Sequence, residues 1–339
     1  FDRQPSSQKV ENVSLLDVIR YNNAAAAAGL DIIPHFDENQ IPEFRYSTNI
    51  ATCDYDGDGD IDLYVGSYDP GSSSYKHYLF NNEMGKYTDV SKEAGLKHSG
   101  KESSAAFADF DNDGFPDLFI MKENGDVLYR NTGKGTFEDV TDDAKAGSKT
   151  GGKMALFFDM DHDGDLDLFE ILSNSNLLLR NNADGTFEDQ AVKLGPRNGD
   201  LMSSDAVFGD FDDDEDIDFI VVNKNSGPAF YSNQRQGVFK DIAAESGLKN
   251  QQGASAIAAG DYNNDGYLDL FTGSVTGGNN SLYINLRNGT FEQEKKNGEM
   301  FRSLENVNVY DASFLDFNND GFLDLLITGE SKEKEGRGI

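Results

Sequence analysis

The chain has 339 residues, 37% hydrophobic and 11% aromatic, and carries 29 lysines and arginines against 61 acids, a formal net charge of −32. Such an excess of acid argues against nucleic acid or an anionic membrane surface as partner. Its one cysteine, Cys53, excludes an internal disulfide, and no apolar run approaches the ~18 residues that a membrane span needs.

Residues 1–45 read as an N-terminal segment. The chain starts at Phe1 without Met and no signal peptide is visible, so one is expected to have been either removed or excluded. Leu15-Leu-Asp-Val18 and Ala28-Gly-Leu30 resemble the outer strand and small-residue turn that close later units, and the segment is expected to lend a closing strand. Residues 46–339 are one repeat array with no Pro- or Ser-rich linker, hence one domain. Six copies of an acidic nonamer punctuate it, starting at Asp54, Asp109, Asp159, Asp210, Asp261 and Asp316, with spacings of 55, 50, 51, 51 and 55 residues.

Each nonamer follows a short apolar stretch, as in Ala105-Ala-Phe-Ala-Asp109, and precedes a second, as in Leu118-Phe-Ile-Met121. The nonamer is therefore predicted to be the turn of a β-hairpin. A third strand ends on Asn81, Asn131, Asn181, Asn233 or Asn285, and six residues later stands Tyr87, Phe137, Phe187, Phe239 or Phe291, with a glycine-bearing turn between. Four short antiparallel strands in about 50 residues are the content of a propeller blade, and the recurring aromatics are predicted to fill the core between blades. The fold class expected is all-β, a β-propeller of four-stranded antiparallel blades with six repeats visible. The sixth repeat lacks a third strand before Ile339. The intact protein is expected to have six blades closed by the N-terminal strand or, the favoured arrangement, a ring of seven truncated at the C-terminus.

The chemistry lies in the nonamers. Positions 1, 3, 5 and 9 hold Asp54, Asp56, Asp58 and Asp62 in the first, Asp109, Asp111, Asp113 and Asp117 in the second, and Asp159, Asp161, Asp163 and Asp167 in the third. The fourth has Asp210, Asp212, Asp214 and Asp218, the fifth Asp261, Asn263, Asp265 and Asp269, and the sixth Asp316, Asn318, Asp320 and Asp324. Hard oxygen donors this close suit Ca²⁺ rather than zinc or copper. Position 7 (Asp60, Phe115, Asp165, Asp216, Tyr267, Phe322) is expected to add its backbone carbonyl, with water completing the shell. Position 6 is Gly except at Glu215, where a left-handed backbone would cost about 1 kcal/mol or force another geometry. That makes the fourth site the least secure. An EF-hand would need Glu at position 12, where only Glu170 fits among Val65, Ile120, Val221, Thr272 and Ile327. A substitution in one loop, such as Asp111→Ala, is expected to affect the second site alone.

Six bound calcium ions would bring the charge from −32 to −20. Open loops of this kind bind at about 10⁻⁴ to 10⁻³ M, so an extracellular or cell-surface location is expected, periplasmic or outer-surface in a bacterium. The stretches Val127-Leu-Tyr-Arg-Asn-Thr-Gly-Lys-Gly-Thr-Phe-Glu-Asp-Val140 and Tyr87-Thr-Asp-Val-Ser-Lys-Glu-Ala-Gly-Leu96 resemble the FG-GAP/VCBS repeat family, which includes the propeller of integrin α chains and the cartilage acidic proteins. The likeness spans roughly residues 46–329. It implies a calcium-bearing extracellular propeller used for adhesion or ligand binding, and it lends no catalytic residue.

The expected function is non-catalytic binding of an extracellular protein or glycan. Four histidines (His35, His77, His98, His162) are scattered with no metalloprotease or triad pattern, and nearly every clustered carboxylate belongs to a loop. A polysaccharide lyase or hydrolase on the same scaffold is the alternative, and a structural subunit of a larger surface assembly the third reading. The longer inter-repeat segments, residues 69–76, 195–201 and 294–306, are the expected binding rim.

Overall fold

The computed structural model describes residues 24–33, 49–69, 71–97, 99–172, 175–191, 202–248, 253–275, 280–294, 304 and 307–331. The expected strand at 15–18, the segment at 195–201 and most of 294–306 lie outside them.

Five four-stranded antiparallel sheets follow one another, each in simple meander order. Blade 1 comprises β1 (Asn49–Cys53), β2 (Asp62–Asp69), β3 (Ser74–Glu83) and β4 (Lys86–Asp89). Blade 2 comprises β5 (Glu102–Ala108), β6 (Asp117–Lys122), β7 (Val127–Asn131) and β8 (Phe137–Asp139); blade 3, β9 (Gly152–Phe158), β10 (Asp167–Leu172), β11 (Leu177–Asn181) and β12 (Phe187–Asp189). Blade 4 comprises β13 (Ser203–Gly209), β14 (Asp218–Asn223), β15 (Ala229–Asn233) and β16 (Phe239–Asp241); blade 5, β17 (Ala256–Gly260), β18 (Asp269–Gly273), β19 (Ser281–Asn285) and β20 (Phe291–Gln293). A sixth sheet pairs β21 (Val307–Leu315) with β22 (Asp324–Ser331). The first strands of successive blades lie against one another, β1 on β5, β5 on β9, β13 on β17 and β17 on β21, the arrangement of a β-propeller.

The cores lie between blades. Second strands such as Asp117-Leu-Phe-Ile-Met121 are buried on both faces because a neighbouring blade covers each. Tyr55, Tyr64 and Leu79 of blade 1 pack with Leu118, Ile120 and Phe137 of blade 2, and the same pattern recurs at the next three junctions. Phe137, Phe187, Phe239 and Phe291 are thus inter-blade core, as their spacing predicts. Position 2 of each loop supplies their partner: Tyr55 meets Phe137 at 5.7 Å, Phe110 meets Phe187 at 5.8 Å and Phe211 meets Phe291 at 6.1 Å between ring centres. The Ala28-Gly-Leu30 turn sits where its later counterparts sit. Gly29 lies at φ 88° so close to the Tyr87 carbonyl that a Cβ would clash at 2.3 Å, and Leu30 packs beside Tyr87, Phe80 and Val65.

Candidate metal centre

All six nonamers share one hydrogen-bonding scheme. The position 1 carboxylate accepts the N–H of position 6 in every loop, from Gly59 to Asp54 at 3.0 Å through to Gly321 to Asp316 at 2.8 Å. The N–H of position 7 donates to the position 5 carboxylate in all six. Turning N–H and carboxylate groups inward over nine residues goes with two left-handed residues. One is position 6; the other, not anticipated, is position 4, where Gly57, Asn112, His162, Asp213, Asn264 and Asn319 have φ between 57° and 77°. Gly, Asn, Asp and His are the residues that enter this region at least cost, so the signal was present in the residue types. Glu215 adopts φ 71° and donates its N–H to Asp210 at 3.0 Å. The fourth loop keeps the common geometry, and the alternative of a different path is not taken.

Position 9 carries two duties. Asp62, Asp117, Asp167, Asp218 and Asp269 are at most 1% exposed. In the first four, one oxygen accepts the N–H of loop position 2 and the other the N–H of the third-strand Asn, as in Phe110 N to Asp117 at 3.0 Å and Asn131 N to Asp117 at 2.7 Å. Asp269 accepts the Asn285 N–H in the same way, and Asp324 the Phe317 N–H. Burial pushes the pKa of Asp62 up to about 6 and those of Asp117, Asp167, Asp218 and Asp269 up to about 7, against the opposing pull of these N–H donors.

Three loops bring positions 1, 3 and 9 together: Asp109, Asp111 and Asp117; Asp159, Asp161 and Asp167; Asp210, Asp212 and Asp218. The first loop converges Asp54, Asp56 and Asp58 instead. In each trio a carboxylate oxygen from every member lies within 4.8 Å of the others, and these are the trios that converge among the described residues. Asp111 Oδ1, Asp159 Oδ1, Asp161 Oδ1 and Asp212 Oδ1 are buried with no hydrogen-bond partner. Buried anionic oxygens left unpaired are costly, and a hard divalent cation satisfies them, so the donor set fits a metal ion. Asp113, Asp163 and Asp214 stand outside the trios. In the fifth and sixth loops Asn263 donates its amide to Asp269, and Asn318 accepts the Asp320 N–H, so neither adds a carboxylate beside Asp261, Asp265, Asp316, Asp320 and Asp324.

Position 7 side chains serve neighbours. Asp165 accepts from Asn112 of the preceding loop at 2.7 Å, Asp216 pairs with His162 at 3.1 Å, and Asp60 accepts the Met84 N–H at 2.8 Å. Tyr267 donates to Asp213 at 3.5 Å, while Phe115 and Phe322 are among the exposed hydrophobics.

The third-strand asparagines prove to be more than strand ends. Asn131, Asn181, Asn233 and Asn285 are at most 2% exposed, and each amide donates to position 2 of the preceding loop and position 8 of its own. Asn181 Nδ2 reaches the Phe110 carbonyl at 2.7 Å and the Leu166 carbonyl at 3.1 Å, for example. In blade 1 this role falls to Asn82, whose N–H holds Asp62 and whose amide reaches the Ile61 carbonyl; the predicted Asn81 turns instead to Asp56 at 2.6 Å. The residue before the Asn also reaches position 3 at Ser232 to Asp212 (3.2 Å) and Arg180 to Asp161 (2.7 Å). Glu170, the apparent EF-hand match, is not in the loop: it is fully buried, beside Asp126 of the preceding blade, and burial followed by the Asp126 charge pushes its pKa well up.

A repeat propeller with an acidic loop in each blade is the class that fold and site define. Residues 54–120, 109–170, 159–221 and 210–272 each match the FG-GAP-like repeat, and the chain belongs to that family. The fold is similar to that of a lectin from Agrocybe aegerita, in a structure concerned with specific recognition of non-reducing terminal N-acetylglucosamine, at 18% identity and TM-score 0.52 over 90% of this chain and 82% of that one. The V. cholerae biofilm matrix protein Bap1 matches at 11% identity and TM-score 0.41 over 72% of this chain and 38% of its own. No curated protein matches the sequence with significance.

Proposed function

We propose that this protein is a non-catalytic extracellular propeller, held together by Ca²⁺ in its acidic loops, that binds a glycan or protein ligand. The loops are the calcium sites because their donors are hard oxygens, several of them buried and unpaired. Ligand binding rests on one observation above all. A cavity of about 620 Å³ lies between the β4–β5 connection and blade 2, lined by Lys97, Ser99, Lys122, Tyr129, Glu138 and Asp139, with Gly95, Val127 and Phe137 completing the wall. Its size is that of small-ligand sites, roughly 300–1,000 Å³. Ammonium, hydroxyl and carboxylate groups in one lining suit a polyhydroxylated ligand, and the lectin of similar fold favours a glycan. The carboxyls with raised pKa outside the loops do not line this cavity: Asp126 and Glu170 lie beside each other in the interior, and Asp205 accepts the Ile257 and Ala206 N–H groups.

A glycan array probed with the calcium-loaded protein tests the reading, followed by titration of the hits against Lys97→Ala and Lys122→Ala. Loss of binding at unchanged melting temperature is expected. Binding that survives both substitutions overturns the cavity assignment. Glycan turnover abolished by a single substitution outside the loops would overturn the non-catalytic reading.

A further inference from the structure

We infer that cation binding to successive loops is cooperative, relayed blade to blade by the third-strand asparagines and by the side chains of loop position 4. This rests on the reading of the loops as calcium sites. Each of four buried amides joins two loops. Asn131 Nδ2 holds the Tyr55 carbonyl of loop 1 at 2.8 Å and the Pro116 carbonyl of loop 2 at 3.1 Å. Asn181 joins loops 2 and 3, Asn233 joins 3 and 4 through the Met160 and Ile217 carbonyls, and Asn285 joins 4 and 5 through the Phe211 and Leu268 carbonyls. The backbone N–H of each of these asparagines also fixes the position 9 carboxylate of its own loop.

A cation that orders position 9 of one loop therefore fixes the Asn. The Asn in turn fixes position 2 of the preceding loop, the residue between ligand positions 1 and 3. A second, outer set of links runs from position 4. Asn112 donates to Asp165 Oδ1 at 2.7 Å and to the Gly164 carbonyl at 3.3 Å, His162 meets Asp216, Tyr267 meets Asp213, and Asn264 reaches the Gly321 carbonyl at 3.1 Å. All five junctions between the six loops are thus bridged. A loop whose neighbour is filled has less disorder left to lose when its own ion arrives, which is positive cooperativity without a change of fold. Under this coupling the effect of Asp111→Ala spreads from the second site to its neighbours.

The test is calorimetric titration of the metal-free full chain with calcium chloride. The wild-type isotherm is expected to be sigmoidal. Asp111→Ala, which removes the position 3 oxygen altogether, should abolish the second site and also weaken its neighbours by about 5-fold or more, the lower end of ordinary coupling. Asn112→Gly, which keeps the left-handed backbone that Gly57 has in loop 1, should reduce the cooperativity at unchanged stoichiometry. A non-cooperative wild-type isotherm, or loss of one ion in Asp111→Ala with the remaining affinities intact, overturns the coupling alone. Absence of calcium binding at millimolar concentration overturns the calcium reading and the coupling with it.

Discussion

Asn181→Ala is the most informative single substitution for the scaffold. The side chain is 2% exposed, and its removal deletes three hydrogen bonds: to the Phe110 carbonyl (2.7 Å), to the Leu166 carbonyl (3.1 Å) and from the Ala183 N–H (3.1 Å). At about 1 kcal/mol net for each, with further cost for carbonyls left unsatisfied in the interior, the loss is about 4 kcal/mol. That is a large part of the ~5–15 kcal/mol by which a native protein is stable. For a chain of this size each kcal/mol moves the melting temperature by roughly 1.5 °C, so a fall of about 6 °C is expected. Differential scanning calorimetry in excess calcium reads it directly. Asn182→Ala is the control: its exposed amide bonds only the Thr186 hydroxyl, and its effect should stay within about 0.5 kcal/mol. If Asn181→Ala melts as high as Asn182→Ala, the inter-loop amide does not hold the blades together.

Chelation should lower the melting temperature, because six sites of 10⁻⁴ to 10⁻³ M affinity at ~1 mM calcium stabilise the fold by about 2 to 8 kcal/mol in all; a melt unchanged in excess EDTA contradicts structural calcium. Glu170→Gln should leave stability nearly unchanged near pH 4 and raise it increasingly toward pH 8. The raised folded pKa means that Glu170 favours folding below its unfolded value of about 4.3, an advantage lost as pH rises toward the folded value, and Gln never titrates. Urea melts at several pH values decide it, and a variant less stable than wild type at pH 8 refutes the sign. Arg180→Gln should tighten calcium binding at the third loop severalfold in low salt, since the guanidinium lies 2.7 Å from Asp161 and 3.1 Å from Asp163 and its positive charge opposes that of the cation. Unchanged or weaker binding in calorimetry would show that it supports the site instead.

The blades and their loops were legible in the sequence because they repeat. One Asp-rich nonamer says little, whereas six in register fix the hairpin turn, the strand before it and the strand after it. The roles of single polar residues were less legible. Asn at a strand end has several ordinary explanations, and nothing local marks Asn181 as reaching a carbonyl 71 residues earlier. Two adjacent asparagines, Asn81 and Asn82, cannot be told apart by spacing, and the shorter β3–β4 turn of blade 1 shifts the role by one residue. Glu170 matched a local template, but a strand position is governed by the blade beside it. Position 4 was readable and overlooked: residues that tolerate left-handed backbone occupy it in all six loops.

The hydrogen bonds that fix each acidic loop lie at one end of the strands. At the other end Asp126, Asn176 and Asn280 tie the second hairpins of blades 2, 3 and 5 to the next blade, through the Ser148 N–H, the Ser203 hydroxyl and the Leu304 and Val307 carbonyls. Asp69 of blade 1, by contrast, bonds only within its own turn, to Gly71, Ser72 and Lys76. Blade 1 shows the result, with β2 and β3 running to eight and ten residues and carrying Tyr68 against Tyr75, where β6 and β7 of blade 2 have six and five. The far end of blade 1 is therefore a natural grafting point. A recognition loop can lengthen, shorten or be exchanged there without renegotiating the scaffold, so specificity can diverge quickly among proteins whose acidic loops stay the same.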